Sequence, residues 1–315
     1  MHQPPDMSAW HGRVDTEEQG ISLRWHQVVK PWRDDAGTTV GNVLLGFGCD
    51  AGIARNHGRR GAASGPEVIR AALANLAWHG NQSVFDAGDV SCVHDELEDA
   101  QHRLGHTVAK ILQRDHRPVL LGGGHEIAWG SWQGLASFAE TQTVVPRLGI
   151  VNFDAHFDLR HAAQANSGTP FRQIAEDCAR RQWPFHYACL GVSQTSNTQA
   201  LFERAKELNV WWELDTAMRQ EQLPQRVREL QSFAHSVDWI YLTIDLDVFP
   251  AHIAPGVSAP AACGVDFVVI ETLVETLLDT GKVRLIEVAE LNPRFDQDLR
   301  SARVAARLIA RCCHR

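Results

Sequence analysis

Apolar positions along the chain fall into short unbroken runs separated by longer stretches where they recur every three or four residues. The runs are Asn42 to Cys49, Val84 to Asp86, Pro118 to Leu121, Leu148 to Phe153, Phe185 to Val192, the pair Trp211-Trp212, Trp239 to Ile244 and Val283 to Ala289. Most are apolar at nearly every position, which predicts strands buried on both faces. The stretches between them predict helices over Ser64 to about Trp78, His94 to Arg114, the residues after Glu126, a segment ending near Gln182, Thr198 to Leu208, Glu221 to Ser236, Asp266 to Asp279 and Leu299 to Cys313. Ser64-Gly65-Pro66-Glu67 has the spacing of a capping box. Within His94 to Arg114, residues Leu97, Leu104, Val108, Ile111 and Leu112 share one side. Strands alternating with helices predict an α/β fold, a mostly parallel sheet with helices on both faces. Residues 1–30 follow neither period and predict an irregular N-terminal extension, with Trp10 and Trp25 as packing residues. No linker or repeat divides the chain, so residues 1–315 are expected to form one domain.

Right-handed crossovers put the carboxyl ends of parallel strands on one rim. His125, Asp154, Asp245 and Glu290 each follow or end a predicted strand, so four segments distant in sequence should meet there. Asp154, His156 and Asp158 alternate, and in extended backbone alternate residues point the same way. Acceptors aimed at one spot repel unless a cation sits between them. Asp245 and Asp247 repeat that spacing. The ligand set His125, Asp154, His156, Asp158, Asp245 and Asp247 contains no thiolate, which suits manganese better than structural zinc. Six ligands are too many for one ion with an open position, and suit two ions bridged by carboxylates and a solvent molecule. Taken alone, Asp-x-His-x-Asp is more often an exposed loop. Three such motifs at successive strand ends are a much stronger signal.

Composition narrows the function. The formal charge is -8, with acidic and basic residues mixed, so neither a nucleic-acid footprint nor a polybasic membrane patch is expected. The polar first thirty residues do not resemble a signal peptide, and no apolar run is long enough to span a bilayer. The seven cysteines include no C-x-x-C pair, which fits reduced thiols in a cytoplasmic protein. The loop from Asp50 to Ala63 is basic, with Arg55, Arg59 and Arg60, and follows a strand where an anionic group would be met.

Gly-Gly-Gly-His-Glu at 122–126, Asp-Ala-His-Phe-Asp at 154–158, Thr-Ile-Asp-Leu-Asp-Val at 243–248 and Glu-Leu-Asn-Pro at 290–293 resemble the arginase family, also called ureohydrolases. Within that family the chain is similar to the branch acting on N-formimidoyl-L-glutamate in histidine degradation. That closer likeness rests on Trp10 to Asp15 with Arg24 to Gln27, and on the segments 56–62, 167–173 and 197–201. The resemblance implies a three-layer α/β/α sandwich around a sheet of about eight strands. It implies two Mn2+ ions per subunit, one held by His125, Asp154, Asp158 and Asp245, the other by Asp154, His156, Asp245 and Asp247. Asp154 and Asp245 would bridge. The expected reaction is hydrolysis to L-glutamate and formamide, by attack of a metal-bridging hydroxide on the amidine carbon. Glu290 would hold the cationic amidine and Asp158 would carry the proton. Arg172, Arg55, Arg59, Arg60 and Asn197 would meet the substrate carboxylates. A homo-oligomer is also implied.

Three departures bear on substrate. Gly124 stands where many relatives have aspartate, so a supporting carboxylate is missing from that position. Phe171 stands where arginases carry a histidine proton carrier. Val248-Phe249-Pro250 departs from the arginase pattern after the last motif. Competing readings are an agmatinase- or guanidinobutyrase-like hydrolase, a non-catalytic metal-binding relative, and a single-zinc deacetylase that would leave His125 and Asp247 without a task.

Overall fold

The apolar runs become the inner strands of a single sheet. The structure, a computed structural model, describes residues 2–17, 22–34 and 39–314. Its strands are β1 (His2–Gln3), β2 (Lys30–Pro31), β3 (Gly41–Gly48), β4 (Ser83–Ser91), β5 (Arg117–Leu121), β6 (Leu148–Phe153), β7 (His186–Val192), β8 (Trp211–Leu214), β9 (Trp239–Asp245) and β10 (Val283–Ala289). Their order is β1-β4-β3-β5-β10-β9-β6-β7-β8, with β2 also on β4. From β4 to β8 every pairing is parallel, giving the expected stack of eight. The two short strands of the N-terminal stretch extend it, β1 antiparallel and β2 parallel to β4.

Helices α1 (Trp25–Val28), α2 (Ala51–Arg55), α3 (Gly65–Ala74), α4 (Leu97–Gln113), α5 (Ile127–Ala139), α6 (Pro170–Arg181), α7 (Gln199–Glu207), α8 (Leu223–Ser236), α9 (Phe267–Leu278) and α10 (Arg300–Cys313) complete the layers. One core packs Ile69, Leu73, Leu230, Leu273 and Ile309 of α3, α8, α9 and α10 against one sheet face. The other packs Leu104, Trp132, Ile174 and Leu201 of α4 to α7 against the opposite face. Along β6 the side chains alternate between them: Val151 and Phe153 enter the first core, Leu148 and Ile150 the second. Each such aliphatic side chain, fully buried, contributes about 1.5–3 kcal/mol. No helix among the described residues is long and apolar enough to cross a membrane.

Three local expectations change. The capping box does not form: Ser64 ends a 3-10 turn at Ala62–Ser64 and its side chain makes no cap bond. Pro66, which needs no N–H partner, starts α3 instead, and α3 stops at Ala74. Trp78 lies beyond the helix and packs edge-on against buried Trp25, ring centres 5.1 Å apart. The supposed short strand at 84–86 is the nine-residue β4. Asp86 and Asp89 hide it in the sequence, because they break the apolar run. Arg70 of α3 satisfies both: its Nε and Nη2 donate to Asp86 at 2.8 and 2.9 Å, and its Nη1 to Asp89 at 2.8 Å.

Candidate metal centre

The four strands that carry the predicted rim residues are immediate neighbours in the sheet, in the order β5-β10-β9-β6. His125 follows β5, Glu290 follows β10, Asp245 ends β9 and Asp154 follows β6. Because β9 and β10 insert between β5 and β6, candidate residues from 125 to 290 converge at the middle of the rim, where the connection order changes.

The histidine ring fixes the chemistry. His125 Nε2 lies 3.1 Å from Thr243 Oγ1. Thr243 donates its only hydroxyl proton to Glu287 Oε1 at 2.9 Å, so it must accept from Nε2–H. In the neutral ring Nδ1 is then a bare lone pair. It has no hydrogen-bond donor, and it faces Asp245 Oδ2 at 3.0 Å, Asp154 Oδ2 at 3.1 Å and Asp158 Oδ2 at 3.2 Å. A lone pair and three carboxylate oxygens around one point fit a cation. Beside them, His156 Nδ1 stands 3.0 Å from Asp247 Oδ2 and 3.6 Å from Asp154 Oδ1. Two groups of side chains thus have ligand atoms close enough to hold an ion: His125, Asp154 and Asp158, and Asp154, His156 and Asp247. They share Asp154. The donor set fits a pair of divalent ions.

Crowded charge shows in the titration of the groups. Burial opposes charging of His125, yet the pull of Asp154, Asp158 and Asp245 outweighs it and raises its pKa well above the ordinary range. Burial likewise opposes ionisation of Asp154, but His125 and His156 keep it below the usual carboxylate range. Burial and then the charge of Asp154 push Asp158 up to about 6. Burial, followed by Asp247 and Asp154, holds Asp245 well above the ordinary value. Burial raises Glu290 to about 7. The cluster holds more negative charge than its own residues can neutralise.

A second ring of polar groups, unremarked in the sequence, aims these ligands. Asn152 Nδ2 donates to Asp154 Oδ2 at 2.9 Å and to Tyr187 Oη at 3.0 Å, and Tyr187 Oη donates to Phe157 O at 3.1 Å. Glu287 also accepts from Tyr241 Oη at 2.8 Å and from Ser131 Oγ. Through Thr243 it is the carboxylate behind His125, so a supporting carboxylate is present although position 124 lacks one. The available signal was a threonine and a glutamate inside apolar strands, since buried polar groups need partners. Phe171 is fully buried, stacked on Tyr187 at 4.6 Å and edge-on to His125 at 5.4 Å.

The residues expected to meet substrate are already bonded to other groups. Asn197 uses both ends of its amide on the ligand loop: Oδ1 accepts from Phe157 N at 3.1 Å, and Nδ2 donates to Ala155 O at 2.9 Å and Ser193 O at 2.8 Å. Arg55 grips both oxygens of Glu98 at 2.6 and 3.0 Å. Arg60 bonds Asp50 and Asp95. Arg172 pairs with Glu176 and donates to Arg160 O at 2.8 Å. Arg59 bonds only carbonyls, those of Ser258 at 3.0 Å and Val257 at 2.6 Å, and stacks on Phe295. Glu290 accepts from His125 N at 3.0 Å through Oε1, while its Oε2 makes no well-formed hydrogen bond.

Comparison with known proteins agrees with this geometry. A sequence profile of the arginase family matches residues 41–314. A protein named formimidoylglutamase from Ralstonia nicotianae is 54% identical over 313 residues, spanning 99% of this chain and 96% of its own length. The crystal structure of formimidoylglutamase from Bacillus subtilis superposes with a TM-score of 0.83 at 22% identity, covering 96% of this chain and 94% of that one. A Trypanosoma cruzi formiminoglutamase solved with Mn2+ gives 0.82 at 23% identity, covering 93% and 98%.

Proposed function

Given that the chain belongs to the arginase family, we propose that it hydrolyses N-formimidoyl-L-glutamate to L-glutamate and formamide, with a pair of Mn2+ ions in each subunit. The observation that carries the chemistry is the bare Nδ1 of His125 facing three carboxylates, next to a second ligand group that shares Asp154. The substrate is supported by the 54% identity to a formimidoylglutamase over nearly the whole chain. His125, Asp154, Asp158 and Asp245 would hold one ion, and Asp154, His156, Asp245 and Asp247 the other. When bound, such ions lower the pKa of a water and offset the charge that builds in the transition state.

The chain's own residues do the rest. Glu290 presents Oε2 to the amidinium, because Oε1 is occupied by His125 N–H. That contact orients the trigonal carbon. Asp158 takes the proton released as water adds, and delivers it to the glutamate nitrogen as the C–N bond breaks. Formamide leaves with the water oxygen. Phe171 has no proton to give, so the leaving nitrogen relies on Asp158. For the substrate carboxylates, Arg160 is a candidate to set beside Arg172, Arg55, Arg59, Arg60 and Asn197. It is exposed, lies two residues after Asp158, and its guanidinium has no partner among the described residues. The protein is further proposed to be a cytoplasmic homo-oligomer whose single domain covers the chain.

The test incubates Mn2+-loaded protein with formimidoylglutamate, formimidoylaspartate, arginine, agmatine and guanidinobutyrate, measuring formamide, ammonia and urea. Formamide from formimidoylglutamate is the expected product. Urea from a guanidine substrate, with no formamide, would move the assignment to another member of the family.

A further inference from the structure

The turn that presents His125 contains a carboxyl group for which neither the metal centre nor the proposed reaction has a use. Glu126 is 1% exposed and caps α5. Its side chain folds back beneath the turn. Oε1 accepts from Gly52 N in the first turn of α2 at 2.7 Å and from Cys49 Sγ at 3.8 Å. Oε2 has no partner. Its backbone carbonyl accepts from Gln101 Nε2 of α4 at 2.7 Å. One buried residue thus joins the ends of β3 and β5 to α4.

Two glycines make room for this carboxyl. A Cβ on Gly124 would run into Glu126 Oε2 and come within 2.7 Å of both its Cδ and Ile53 Cγ1. A Cβ on Gly52 would stand 2.5 Å from Cδ and 2.7 Å from Oε2. Gly52, Gly124 and Glu126 are therefore a matched set, in which the Glu126 carboxyl fills the space where a side chain at 124 would begin. The opposite side of the same turn is held by β10: Glu290 N donates to Gly123 O at 2.8 Å, and Glu290 Oε1 accepts from His125 N at 3.0 Å. The turn is clamped between Glu290 and Glu126.

We propose that Glu126 is a positioning residue for the metal centre: lodged against Gly124 and tied to Gly52, its carboxyl supplies from position 126 the buttress that Gly124 cannot, and so sets where His125 offers Nδ1. This rests on the two-ion reading above. It places the effect on the ion that His125 holds, and leaves the ion at His156 and Asp247 largely untouched.

Titration calorimetry of metal-free protein with Mn2+ separates the outcomes. In Glu126→Ala, one of the two binding events should weaken about tenfold to a hundredfold, the range for losing a partner that orients a ligand. The other event should keep its affinity. Glu126→Gln keeps an acceptor for Gly52 and should lose less. Gly124→Asp should also weaken binding, by collision with Glu126 and Ile53. A Glu126→Ala protein that melts earlier yet binds both ions as wild type would overturn the inference, as would a Gly124→Asp protein that binds both ions as wild type. If the unsubstituted protein binds no Mn2+, the two-ion reading itself fails.

Discussion

Replacing His156 with alanine is the sharpest way to divide the two ion positions. His156 belongs to one group able to hold an ion, with Asp154 and Asp247, whereas Asp154 belongs to both. Its Nδ1 is 3.0 Å from Asp247 Oδ2, and it is absent from the trio around His125 Nδ1. His156→Ala should therefore hold one ion and Asp154→Ala almost none. The size of the effect follows from linkage. An ion supplied at one hundred times its dissociation constant stabilises the folded state by about 2.7 kcal/mol. For a chain of 315 residues each kcal/mol moves the melting temperature by about 1.5 °C. Saturating Mn2+ should then raise the melting temperature by roughly 4 °C per ion held. Wild type should gain about twice what His156→Ala gains, and Asp154→Ala almost nothing. Elemental analysis of desalted protein gives the ion count, and scanning calorimetry with and without Mn2+ gives the shift. Two ions retained by Asp154→Ala, or both lost from His156→Ala, would refute the shared-aspartate arrangement.

Asn197→Ala removes three hydrogen bonds from the loop 155–157 and its anchor. At about 1 kcal/mol net each it should cost about 3 kcal/mol in urea unfolding and weaken Mn2+ binding; unchanged affinity would mean the loop holds its shape without it. Arg160→Ala should raise KM for formimidoylglutamate more than kcat falls, and more than Arg172→Ala does, because Arg172 must first release Glu176; equal kinetics for Arg160→Ala and wild type would remove it from the substrate site. Asp177 gives a pH prediction. Burial opposes its ionisation, but bonds from Trp132, Arg181 and Arg180 outweigh that and lower its pKa. A lowered folded-state pKa adds stability that is complete above the unfolded value of about 3.9 and fades as pH falls through the folded one. The stability gap between wild type and Asp177→Asn should therefore be full at pH 6 and shrink in acid, and a gap that grows below pH 4 would contradict the sign.

The cluster of candidate ligands was legible because its chemistry forces a short code. Asp154, His156 and Asp158 must alternate to reach one point, and a strand end must precede them. The eight parallel strands were legible for a related reason, since burial on both faces leaves no polar period to obscure them. What stayed hidden depends on pairing across long separations. Arg55 and Arg60 read as candidates for substrate carboxylates, but Glu98 and Asp95, far off in sequence, pair with them; Arg172 pairs with Glu176 one helical turn on, a spacing the sequence did offer. The extent of β4 was lost because Asp86 is acceptable there only once Arg70 arrives from α3. Asn197 was expected to meet the substrate carboxylates, but its amide is engaged with backbone atoms of Ala155, Phe157 and Ser193.

Backbone strain marks which rim residues the fold keeps for their side chains. Asp158 and Glu290 both sit in the left-handed region, at φ of 48° and 71°, where a residue with a Cβ costs about 1–3 kcal/mol. Glycine would relieve that cost at either position. Each is held there by a bond from the opposite side of the centre: Phe171 N donates to Asp158 O at 3.2 Å, and Glu290 N donates to Gly123 O at 2.8 Å. Both side chains are buried and raised in pKa, largely by that burial. A stable fold alone gives no reason to bury a strained, hard-to-ionise carboxyl. Two of them, Asp158 facing His125 Nδ1 and Glu290 bonded to His125 N, make sense when a cation and a cationic substrate supply the missing charge.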